Sequence, residues 1–330
     1  MSKSKSTESR RTTSGDVARR ANVSRTTVSF VLNGVTDQKI SDATREAVLK
    51  AVRDLGYRPN RAARALVSGT SNTVIAVIPT SQLGEGALML LGALTTELGQ
   101  RGFSLVVWFE SDDHDALGTL VRDLRPAGVF PLYGSLPAWV DGRYLYDSPS
   151  LESLHLPPNH LDAGTYAQVG YLYERGHQRV GYVGVSEPVM TVSDLHRHDT
   201  VVVASADLGM AAPVGVRIDA EGAAAASALQ RLRTEGVTAL CCYNDRIAFM
   251  MIHAMRQAGL RCPDDLAVIG YDAIPLSAWS APPLTSVAWD PVETAAAFAD
   301  LLLDSLQLPS PPRTRPQEPP RVEIVERESA

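Results

Sequence analysis

Three cysteines in 330 residues exclude a disulfide framework. Cys241 and Cys242 are adjacent and Cys262 stands apart, so no C-x-x-C metal or redox spacing exists. Three unpaired thiols suit a reducing cytoplasm, the location expected for this chain. No apolar run approaches the roughly 20 residues that would span a membrane. The start, MSKSKSTESRR, is polar and basic and lacks the apolar core of a secretory signal. Residues 1–12 read as a disordered arm. No G-x-G-x-x-G, P-loop or nucleophile elbow occurs, so the common signatures of nucleotide-dependent and hydrolytic enzymes are missing. No cofactor is expected, and the chain does not read as an enzyme.

A division of charge is what the chain does have. Residues 1–70 hold 14 Lys and Arg against 6 Asp and Glu, whereas the remainder holds 17 against 31. A head of +8 on a body of −14 assigns any polyanion contact to the head.

Within that head, DVARRANVSRTTVSFVLN (16–33) reads as a helix-turn-helix. At about 100° per residue, Val28, Val31 and Leu32 share one side of the second helix. They face Val17, Ala18 and Ala21 of the first. Arg25, Thr26, Ser29, Phe30 and Asn33 fall on the opposite side, as donors, acceptors and one ring suited to base edges and phosphates. Ser24 stands at the N-cap position. ISDATREAVLKAVRDLGY (40–57) reads as a third helix, capped by Ser41 and closed by Gly56, whose apolar positions cover the first two. RPNRAARAL (58–66) follows, too short and too rich in arginine to hold a helix alone. It should fold only when phosphates and a partner supply contacts.

Beyond Gly69 the pattern turns to strands alternating with helices. Apolar runs at 73–79, 103–109, 127–134, 179–185, 239–244 and 266–272 are separated by helical stretches. Two such series imply two doubly wound lobes with a cleft outside the strand carboxyl ends. The rhythm is weakest at 135–158 and 186–199.

The motifs resemble those of the lactose-repressor (LacI/GalR) family of bacterial transcription regulators. In the head the matches are DVA (16–18), VS (23–24), TVS (27–29), VLNG (31–34), TRE (44–46), LGY (55–57) and PNRAAR (59–64). In the body they are ERGHQRVGYVG (174–184), YNDRIAF (243–249), IGYD (269–272), PPLTSV (282–287) and VERES (325–329). The resemblance implies an all-α helix-turn-helix head (13–57), a hinge helix and linker (58–69) and an α/β two-lobed body (70–330). That body would be of the type I periplasmic-binding-protein kind, binding an effector and dimerising. The chain would return to the first lobe near 287–308 and end in the second.

Candidate DNA contacts are Ser24, Arg25, Thr26, Thr27, Ser29, Phe30 and Asn33, with Asn60, Arg61, Ala63 and Leu66 in the hinge. By the resemblance, paired hinges enter the minor groove and Leu66 wedges into a central base step. Phe30 departs from the arginine that the family commonly has there, so operator preference does not carry over. Arg197, twelve residues before Gly209, matches the family's ligand-holding arginine, although Thr200 replaces a usual glycine. Asn244 or Asp245, and Asp272, end strands where a crevice would lie. Asp245 is equally placed to cap a helix over 246–258. Trp289 replaces a frequent glutamine and offers a stacking face. His196 and His198, with Asp194 and Asp199, come from one irregular stretch and do not make a metal site.

The expected protein is a homodimeric repressor that binds a pseudo-palindromic double-stranded operator, with no membrane association. A small molecule, by resemblance a carbohydrate, would control it. The alternatives are a soluble α/β ligand carrier or enzyme, or a DNA-binding regulator that uses a protein cofactor or no effector.

Overall fold

The computed structural model describes residues 12–32, 40–57, 71–78, 84–109, 114–132, 160–186, 191–219, 221–306, 308 and 321–330. Asn33 and the hinge candidates Asn60, Arg61, Ala63 and Leu66 lie outside them. The chain divides into two units, Met1–Ser71 and Asn72–Ala330.

The described residues of the first unit form three short helices, each started by a side-chain cap. Thr13 and Asp16 form a reciprocal capping box at α1 (Ser14–Ala21). Asn22 takes a left-handed φ of 53°, which ends α1 and turns the chain. Ser24 Oγ accepts from Thr27 N at 2.9 Å at the start of α2 (Arg25–Leu32). Ser41 does the same for Thr44 N ahead of α3 (Asp42–Asp54), and Gly56 closes it with φ of 56°. Val17, Ala18, Val28, Val31, Val48 and Ala51 form the buried centre. These small side chains let three short helices approach closely.

The described residues of the second unit form two sheets. In the first, β1 (Thr73–Ile78) lies between β2 (Ser104–Phe109) and β3 (Gly128–Pro131), all parallel. The two-residue period of β1 divides its side chains. Val74, Ala76 and Ile78 pack with α4 (Glu85–Gln100), and Ile75 and Val77 pack with α5 (His114–Leu124).

The second sheet has strand order β5-β4-β6-β7-β8-β9. Its strands are β4 (Val180–Val185), β5 (Val214–Ile218), β6 (Ala239–Cys242), β7 (Ala267–Tyr271), β8 (Ser286–Trp289) and β9 (Val322–Val325). Only the β8–β9 pairing is antiparallel. Helices α6 (His160–Glu174), α7 (Thr191–Asp207), α8 (Ala225–Thr234) and α9 (Asp245–Gln257) accompany it. Every residue of β4 is buried, as expected of a parallel strand covered on both faces.

After β8 the chain does return to the first lobe. In α10 (Pro291–Ser305), Ala295, Phe298, Ala299, Leu302 and Leu303 recur at helical spacing and are buried in the first lobe's core. Each buried leucine stabilises that docking by about 1.5–3 kcal/mol. Strand β9 then closes the edge of the second sheet.

Residues 191–207 correct the sequence reading, which took the stretch around His196 and His198 as irregular. The structure makes it the helix α7, seventeen residues long. Its buried positions include Asp194, Arg197, Val201, Ala204 and Ser205, which follow a helical period. Most of that stripe is polar, so a search for apolar periodicity passes over it.

Candidate DNA-reading face and effector cleft

In the first unit, α2 turns Val28 and Val31 inward and leaves Ser24, Arg25, Thr26 and Ser29 exposed, with Thr27 and Phe30 half-buried. The exposed stripe thus carries a cation, hydroxyls and the edge of one ring, while the apolar stripe holds the helix against α1 and α3. Arg20 pairs with Asp54 at 3.3 Å and Arg19 pairs with Asp16. Bonds from the Thr13 side chain and backbone, then the Arg19 guanidinium, pull the Asp16 carboxyl down to about 2. Asp16 thus both caps α1 and pairs with an outward cation, while Arg25 makes no such ion pair among the described residues.

In the second unit, α7 directs Arg197 inward until only 8% of it is exposed. Its Nη1 donates to the Tyr243 carbonyl, just past β6. The guanidinium carbon lies 3.8 Å from the centre of the Tyr271 ring and 4.6 Å from that of Tyr243. Its Nε is buried and makes no hydrogen bond among the described residues. Burial works against the charge, but Tyr271, Tyr243 and Asp272 outweigh it and raise the pKa.

Asp272 follows β7 with φ of 102°, and Ala273 has φ of 46°. Two consecutive side-chain-bearing residues in left-handed space store strain of order 1–3 kcal/mol each, a feature that clusters at ligand sites. Asp272 keeps part of its surface open, but its carboxyl is enclosed, and burial pushes it up to about 6 against the pull of Arg197 and Trp289. Trp289 Nε1 donates to Asp272 Oδ1 at 3.1 Å, while its ring packs against the first lobe's core. Trp289 therefore touches both lobes.

The first turn of α4 closes over this group. A Cβ added to Gly86 would stand 2.6 Å from the Asp272 carboxyl, and one added to Gly84 would stand 3.6 Å from Asn244 Nδ2. No side chain caps α4, so its leading amides lie beside the carboxylate and the amide of the other lobe.

The structure brings Arg197, Asn244, Asp272 and Trp289 to one seam between the lobes. Asp245 is placed elsewhere, and its sequence reading needs two corrections. Asn244, not Asp245, caps α9, accepting from Ile247 N at 3.0 Å. The Asp245 carboxylate accepts from Ile274 N at 2.8 Å, Ser277 Oγ at 2.5 Å and Ser286 Oγ. Those bonds hold the turn over Pro275–Ala278 to β8, which engages both oxygens within its own lobe. Burial pushes this carboxyl up, and the three bonds oppose the shift.

Tyr243, Tyr271 and Gly86 escaped the sequence reading. The tyrosines follow or end apolar strands and read there as core, and a glycine in a helix gives no signal of what crosses it.

Asp194 is also engaged internally. It accepts from Tyr182 Oη at 3.0 Å and Val185 N at 3.0 Å, and it pairs with Arg217. His198 stands edge-on to Tyr182, with ring centres 5.5 Å apart. Among the described residues, no three His, Cys, Asp or Glu gather as a metal site.

Comparisons with known proteins agree with this architecture. Residues 13–60 match the model of bacterial regulatory proteins of the lacI family, and residues 169–330 match that of the periplasmic binding protein-like domain. The chain is 30% identical over 313 residues to the HTH-type transcriptional repressor CytR of Escherichia coli K12, covering 88% of this chain and 89% of the relative. It is also 30% identical over 328 residues to the HTH-type transcriptional regulator CelR of Thermobifida fusca, covering 90% and 92%. Among solved structures, the Lac repressor dimer bound to operator and the anti-inducer ONPF superposes with a TM-score of 0.64 at 25% identity, covering 97% of this chain and 99% of that one. A CelR–cellobiose complex superposes with a TM-score of 0.61 at 25% identity, covering 97% and 100%.

Proposed function

Because the chain belongs to the LacI family of bacterial regulatory proteins, it is a DNA-binding transcriptional regulator and not an enzyme, and we propose that a carbohydrate held between its lobes sets its operator affinity. The observation that carries the effector site is the convergence of Arg197, Asp272 and Trp289 at one seam. A guanidinium with a buried, unbonded Nε, an enclosed carboxyl and an indole supply a forked donor, an acceptor and a stacking face. Together they suit a hydroxyl-rich ring. That one relative was solved with cellobiose supports the same chemical class.

Control follows from differential affinity. The effector binds the closed and open arrangements of the lobes unequally and so shifts their populations, and operator affinity shifts with them. Residues 13–57 supply one reading head, the hinge at 58–69 folds on DNA, and residues 70–330 dimerise. Two heads related by a two-fold axis then read a pseudo-palindrome, with Arg25, Thr26 and Ser29 toward the bases. The protein acts as a repressor in the cytoplasm, where its operator lies. Among the described residues, no helix is long and apolar enough to cross a membrane.

Thermal-shift screening of the full chain against sugars and nucleosides would identify the effector, since a ligand that binds the folded state raises its melting temperature. Operator DNA would come from selection on random duplexes. Arg197→Ala is expected to yield a folded protein that binds the selected DNA unchanged while its effector affinity falls about 100-fold or more. An unchanged effector midpoint would refute the site. Loss of DNA binding with an intact fold would refute the separation of the two functions.

A further inference from the structure

Gly15 is the second residue of α1, a helix of only eight residues. Glycine weakens a helix, and nothing in the backbone calls for it here, since Gly15 keeps an ordinary negative φ. What occupies its side-chain space is Arg25, from the start of α2. A Cβ added to Gly15 would stand 2.7 Å from Arg25 Nη2, 3.0 Å from Nε and 3.1 Å from Cζ. Nη2 and Nε are nearer to that point than the central Cζ, so the Nε–Nη2 side of the guanidinium fills the space that a side chain would take. Gly15 is buried beneath it, whereas Arg25 remains exposed.

Both residues border an open groove of about 710 Å³, shared with Thr13, Arg19 and Ser24, so the guanidinium stays reachable from outside. An arginine free in water samples many rotamers, and fixing one in a complex costs entropy. A glycine platform removes part of that cost before DNA arrives, and it also limits the direction of the guanidinium fork.

We propose that Gly15 is a positioning residue for base reading, acting through Arg25: the missing side chain seats the guanidinium over α1 and sets its angle to a base edge. This rests on the proposed role of Arg25 as a base reader. Because the colliding atoms are the far end of a flexible side chain, a Cβ at position 15 displaces Arg25 without breaking the fold.

The test uses the full chain and selection from random DNA, with Gly15→Ala, Arg25→Ala and the double variant. Arg25→Ala should lower discrimination about tenfold at one half-site position, the scale of one bidentate contact to guanine. Gly15→Ala should relax the same position, leave the others unchanged, and add nothing in the Arg25→Ala background. In that background the alanine should raise the melting temperature, because the collision is gone and only its better helix propensity remains. If Arg25→Ala changes no base preference, Arg25 is not a reader, and the proposed role on which the positioning by Gly15 rests is overturned. If Arg25→Ala relaxes one position but Gly15→Ala does not, or weakens all sequences equally, the positioning role of Gly15 is overturned.

Discussion

The helix-turn-helix unit keeps its described acids out of its core, whereas the second lobe carries two aspartates inside it. Asp16 faces water at the start of α1 and Asp54 pairs with Arg20 in the open. Asp194 and Asp245 are 0% and 1% exposed. The difference follows from what the acids hold in each region. A polyanion is met from outside, so the head needs outward cations and a small apolar centre, and Asp16 and Asp54 stand at helix ends beside arginines. The lobe has an interior large enough for carboxylates that fasten its own elements, Asp245 the turn over Pro275–Ala278 and Asp194 the end of β4, so it carries charged groups away from water. Such groups destabilise the fold unless bonds are preset around them.

The largest test of this contrast is Asp245→Ala. It removes the acceptor for Ile274 N, Ser277 Oγ and Ser286 Oγ in a buried place. We expect the second unit to lose about 3 kcal/mol, read from its urea unfolding midpoint. A loss below about 0.5 kcal/mol would mean that water replaces the carboxylate and that the lobe's acids are no more structural than those of the head.

A smaller effect of opposite sign is expected from Asp272→Asn. Burial raises this carboxyl from 3.8 to about 6, so the folded chain binds its proton more tightly than the unfolded one. The stability it contributes is complete below the unfolded value and is lost as pH rises through about 6. The neutral amide should therefore stabilise the effector-free protein by about 2 kcal/mol at pH 8. That gain should fade toward pH 4, while effector affinity falls. Thermal melts across this range decide the matter, and an equal gain at both ends would trace it to packing instead of charge.

Asp16→Asn should be the mildest. The carboxyl is held near 2, so its contribution is present above the unfolded value and is lost as pH falls through about 2. Melts of the head should show a small destabilisation at neutral pH that disappears by pH 2. A drop as large as that of Asp245→Ala would erase the distinction between surface and interior acids.

The same contrast governs what could be read before folding. Val28 and Val31 inside, Arg25 and Ser29 outside, and caps at Ser24 and Ser41 follow from helical period and local hydrogen bonding within a short stretch. Most strands of the body were legible for a related reason: β1 and β4 are continuous apolar runs of the kind that parallel sheets bury, whereas the edge strand β5, broken by Arg217, was passed over. Helix α7 was not legible, since Asp194 and Arg197 stand where apolar residues would mark an inner face. Tyr243 and Tyr271 were hidden in the opposite way, since each reads as core at a strand end and shows its second role only with Arg197 between them.

By itself, the order of residues determined the helix-turn-helix, its outward face and the alternation of the body, because each depends on contacts within a few turns or one strand. Only the tertiary structure decided that Asp272 meets the first turn of α4, that Trp289 joins both lobes, and that Asp245 holds a turn instead of facing the cleft. Those pairings join residues far apart in the chain, and their polarity leaves no periodic trace. Two lobes packed together place them, and a glycine such as Gly86 is informative only once the group that crosses it is in view.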